Sequence, residues 1–72
     1  MSREGKAPQV GEMVRIVRKH PRGKELIACT DATLRALALD RSKPEDVRML
    51  AAVLARMSAG QRQLLALKAR LP

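Results

Sequence analysis

Arg15, Arg18, Lys19 and Arg22 follow the i, i+3, i+4, i+7 spacing that places side chains on one face of a helix. A row of guanidinium and ammonium groups about two turns long suits one kind of chemistry, the binding of successive phosphates. Four like charges on one face repel, and Glu12 is the one carboxylate near enough in sequence to offset them. A phosphate backbone laid along the stripe would compensate that cost, with release of its counterions. The plain alternative is a solvated face that keeps the chain soluble. Lys43, Arg48, Arg56 and Arg62 extend the candidate nucleic-acid-binding set; residues 47–72 carry no Asp or Glu, and their remaining cations Lys68 and Arg70 could lengthen the same surface.

Catalytic chemistry finds little to work with. His20 is the only histidine, so no imidazole-based metal site can form and no partner is evident for proton transfer. Next to Pro21, it reads as a helix-end or turn residue. Cys29 reads as a small buried core residue rather than a nucleophile. Glu45 and Asp46 look like paired carboxylates, but the start of a helix accounts for both. The expectation is a non-enzyme with no metal and no cofactor.

The elements that must position these cations are small. Seventy-two residues form at most one domain, and a chain of this size buries only about 60% of its unfolded surface. One cysteine makes no internal disulfide, so a homodimer that enlarges the core is a reasonable expectation. With no Phe, Trp or Tyr, the core is built from Leu, Val, Ile, Met and Ala, which favours closely packed helices. The same absence argues against base-stacking RNA sheets and single-strand barrels. Fifteen Lys and Arg against seven Asp and Glu leave a net charge of +8, which points to a polyanionic partner. No apolar run approaches a membrane span, and no hydrophobic stretch follows the polar start, so the expected location is the cytoplasm. A basic helix suited to lipid would carry Trp or Phe on its apolar face, so a membrane partner is not expected.

Along the chain, residues 1–9 read as a flexible basic arm and 10–72 as a single helical domain. From Val10 to His20 the period is ambiguous. As a helix, Val10, Met13, Val14 and Val17 share one face; as a strand, the β-branched residues fit, and His20-Pro21-Arg22-Gly23 becomes a hairpin turn leading back towards Cys29. Lys24 to Asp40 is a second helical segment with Leu26, Ile27, Leu34 and Leu37 on one face, divisible at Thr30 or Asp31. A third helix opens at Ser42, with Pro44 in its first turn and Glu45 closing a capping box, and carries Val47, Leu50, Leu54 and Met57. Ser58 and Gln61 form another capping box, which either starts a new helix or marks a kink at Gly60. The expected fold is all-α, a small bundle of three to four short helices, with an N-terminal β-hairpin as the variant.

The stretch from Ala32 to Leu54 resembles a helix-turn-helix. Thr33 to Ala38 stands as its first helix, Asp40 to Lys43 as its turn and Pro44 to Leu54 as its second helix. The turn lacks the usual glycine, and Val47 sits one residue early. The resemblance implies that Lys43, Arg48 and Arg41 lie near a DNA groove, with Glu45 and Asp46 facing phosphates. Two partners therefore suit the charge: duplex DNA held through its phosphates, in a regulatory or architectural role, or an acidic protein surface on which basic, leucine-rich helices dock.

Overall fold

A computed structural model describes residues 9–71, so most of the arm expected at residues 1–9 lies outside the described residues. The chain is all-α. Five helices follow one another: α1 (Val10–Lys19), α2 (Gly23–Ile27), α3 (Asp31–Leu39), α4 (Glu45–Ala55) and α5 (Ala59–Arg70). Among the described residues there are five helices where three to four were expected, and the hairpin variant does not form.

The first helix wins over the strand because its apolar residues repeat every three to four positions. Met13 and Val17 are fully buried, and Val10 and Val14 pack beside them. The His20-Pro21-Arg22-Gly23 turn is real: the Gly23 amide donates to the His20 carbonyl at 3.0 Å. It joins two helices instead of two strands, and the chain doubles back so closely that Gly23 lies against the backbone of Val17.

The extra helix comes from Thr30. Its hydroxyl accepts the Thr33 amide at 3.2 Å, which caps α3 and divides the expected second segment into α2 and α3. The Ser58 box also forms: Ser58 Oγ accepts the Gln61 amide at 3.2 Å, and Gln61 Oε1 accepts the Ser58 amide at 3.0 Å. Two helices therefore meet at this point, and no single kinked helix runs through Gly60.

The Ser42 box does not form. α4 starts two residues later than expected, with Pro44 as its N-cap. Ser42 is instead drawn to Asp40, which accepts its hydroxyl at 2.6 Å and its amide at 3.0 Å. A carboxylate two residues away is a closer partner than a helix amide not yet in place. Those two bonds hold the Asp40 carboxyl below the usual aspartate range. With the folded pKa depressed, this contribution to the turn is fully present above the ordinary aspartate pKa. It is lost as pH falls through the folded value.

One core ties the helices together: Met13, Val17, Leu26, Leu34, Leu54 and Leu65 are its largest fully buried side chains. α3 packs chiefly on α4, and α1 on α5. Cys29 is half-buried at the core edge, not fully buried as expected, and its thiol donates to the Glu25 carbonyl at 3.4 Å. Of the four leucines in the last segment only Leu65 is buried; Leu64, Leu67 and Leu71 face out.

Candidate nucleic-acid interface

The C-terminal end of α1 is where three helices meet. The Arg18 guanidinium donates to the Leu71 carbonyl just past α5, so the C-terminal ends of α1 and α5 lie side by side. On another side His20, the C-cap of α1, reaches the start of α4, with its Nε2 2.9 Å from Asp46 Oδ2. The Arg22 amide donates to His20 Nδ1 at 3.0 Å. The neutral ring therefore carries its proton on Nε2 and donates it to Asp46.

This junction sorts the eight cations expected to bind nucleic acid. Arg15 and Lys19 are exposed on α1, and neither has a hydrogen-bonding or ionic partner among the described residues. Glu12, three residues before Arg15, forms no ion pair with it. Arg18 keeps its exposed position while bonding Leu71. Arg22 lies just beyond α1 and pairs with Glu25 at 2.9 Å, a carboxylate three residues ahead that the sequence reading did not count as a neighbour of the stripe. Lys43 and Arg48 are half-buried around the α3–α4 turn, where Arg48 Nε donates to the Lys43 carbonyl at 3.2 Å.

Arg56 and Arg62 stand apart. α4 has 11 residues, so Arg56 at its C-cap is about 16 Å along the axis from the end that holds Asp46. Arg62 is a structural residue: its side chain is 12% exposed and its Nη1 donates to Asp31 Oδ1 at 3.0 Å and to the Leu54 carbonyl at 3.1 Å. It ties the starts of α3 and α5 to the end of α4. Arg62→Ala should lower stability by about 2 kcal/mol, or roughly 10 °C in a thermal melt, by stranding the shielded Leu54 carbonyl and leaving Asp31 with Arg35 alone. A melt unchanged within 2 °C, on the order of measurement scatter, would show that this tie contributes nothing.

The junction brings in Lys68 and Arg70 in the last turn of α5, which the sequence offered only as a further extension of the surface and not among its eight candidates. Their signal was present in the sequence as two cations in an acid-free helix end, but their place beside α1 is tertiary. Cations near the C-terminal ends of two helices gain about 0.3–1 kcal/mol each from the helix dipoles, which offsets part of their repulsion. Arg15, in the middle of α1, has no such offset.

α3, the turn and α4 have the order of a helix-turn-helix, but the second helix is poorly furnished to read DNA. Its exposed residues include Glu45, Asp46, Met49 and Arg56, so carboxylates lead where a recognition helix meets phosphates and base edges. The five-residue connection from Asp40 to Pro44 is also longer than the usual three or four.

No group of His, Cys, Asp and Glu among the described residues has the arrangement of a metal site, and none of the described helices is long and apolar enough to cross a membrane. In comparisons with known proteins no family model matches the chain, and no curated protein or solved structure matches it either.

Proposed function

We propose that this is a non-catalytic protein that binds duplex DNA through phosphate contacts, in a regulatory or architectural role, using the joined C-terminal ends of α1 and α5. The observation that carries the reading is the junction itself. Arg15 and Lys19 have no partner among the described residues, and the Arg18–Leu71 bond brings them to the same end of the molecule as Lys68 and Arg70. An extended polyanion suits such a surface better than a small ligand, since the cations sit on convex helix ends and not in a pocket. Cytoplasmic residence fits the free Cys29 thiol.

With Arg18, still exposed beside Leu71, as a fifth phosphate contact, the dependence of log affinity on log salt has a slope of about −4 to −5. A mobility-shift or anisotropy titration on random duplex across salt concentrations tests this; retention indifferent to salt would remove the reading. An acidic protein surface is the second reading, favoured by the exposed Leu64 and Leu67 beside Lys68. Capture of a partner from nuclease-treated lysate, with no shift of duplex DNA, would select it.

A further inference from the structure

Two apolar surface features play no part in the DNA reading, one convex and one concave. The convex one is on α5. Leu65 and Ala69 face the core, and Leu64, Leu67 and Leu71 run down the opposite side at the 3–4 spacing of a helix-packing seam. Leu67 is 60% exposed and Leu71, just past the helix, 56%. The residues flanking this ridge are Gln61, Gln63, Lys68 and Arg70, with no acid among them.

The concave feature is a groove of about 390 Å³ between α1 and α4. Buried Met13 and Leu50 form its floor, and exposed Ile16 and Met49 stand at its mouth. Along α1 it runs from Glu12 to His20 with its partner Asp46. In a chain of net charge +8 this groove has carboxylates near both ends.

The geometry points to the groove of one molecule receiving the α5 ridge of a second copy of this chain. Lengths agree: Glu12 to His20 spans about 12 Å of helix axis and Leu64 to Leu71 about 10 Å. Charges agree as well, since the ridge brings Lys68 and Arg70 to a groove bounded by Glu12 and Asp46. Pairing α5 with α5 instead would set one acid-free helix against another and leave the groove empty. The contact is heterologous, ridge to groove, so each copy keeps one ridge or groove open unless a ring closes. One 12-residue helix falls short of the roughly 800 Å² per partner of a standard interface, so association sets in at tens to hundreds of micromolar, on the order expected for weak contacts.

Light scattering or sedimentation across concentration, without nucleic acid, tests this with two exposed-site variants. Wild type should rise above monomer mass with concentration. Leu67→Glu, which spoils the ridge, and Met49→Glu, which spoils the groove, should each stay monomeric. Mixed in equal amounts they should form a 1:1 heterodimer, joining the intact groove of one to the intact ridge of the other. Leu64→Gln and Ile16→Gln supply a second ridge and groove pair should either glutamate variant lose helicity. A wild type that stays monomeric, a groove variant that still associates with itself, or a mixture that stays monomeric would each overturn the proposal.

Discussion

Gly23→Ala should be the most damaging single-methyl change in the chain, lowering stability by about 3 kcal/mol and the melting temperature by roughly 15 °C. A Cβ there would come within 2.8 Å of the Val17 carbonyl carbon and 2.9 Å of its Cα, and closer still to the carbonyl oxygen. Those are backbone atoms, so no rotamer change makes room. The turn after α1 and the first turn of α2 would have to separate, pulling Leu26 and Ile27 from the core. The loss is large because small domains hold only about 5 kcal/mol or so in reserve. Gly11→Ala is the matched control: a Cβ there meets nothing within 4 Å, and alanine is the better helix former. Thermal melts followed by circular dichroism should show Gly11→Ala at or above wild type. A Gly23→Ala melt within a few degrees of wild type would contradict the close crossing of α2 over α1.

The second large effect concerns DNA. Arg15→Gln combined with Lys19→Gln removes two cations that hold no other group among the described residues, so the fold should be unaffected. Affinity for duplex DNA should fall on the order of 30-fold at ~50 mM salt, the cost of two phosphate contacts. Arg35→Gln with Arg56→Gln changes net charge equally, but Arg35 is paired with Asp31 and Arg56 lies at the far end of α4. That control should lose less than about threefold, the long-range part of the field alone. Equal losses in the two variants would mean that net charge, and not the α1–α5 junction, governs binding.

How far the sequence revealed this arrangement depends on how local each feature is. The Thr30 and Ser58 caps and the turn at Pro21 were legible, because each depends on residues at most four positions apart, whereas the valines of α1 fitted helix and strand alike. The turn at Pro21 was legible as a turn, yet its neighbours alone did not decide between strands and helices around it. At Ser42 two local rules competed, and the nearer carboxylate of Asp40 took the hydroxyl that a capping box would have used. Arg62 looked free of acids because its partner Asp31 lies 31 residues earlier, a pairing that only tertiary structure creates.

The leucines of α5 were undecidable for a related reason. Leu65 with Ala69 and Leu64 with Leu67 and Leu71 each satisfy helical spacing, and which set turns inward depends on where α1 packs. The candidate interface was legible only in part for the same cause. The α1 cations share a helix and could be read together, whereas Lys68 and Arg70 join them only through the packing of α5 on α1, closed by the contact between Arg18 and Leu71.

The account rests on the junction of α1 and α5 being where phosphates are met. The slope of log affinity against log salt, taken on one duplex for wild type and for the Arg15→Gln, Lys19→Gln variant, measures this directly. Wild type should give about −4 to −5 and the variant a slope about two units shallower, one for each contact removed. Two equal slopes would contradict it.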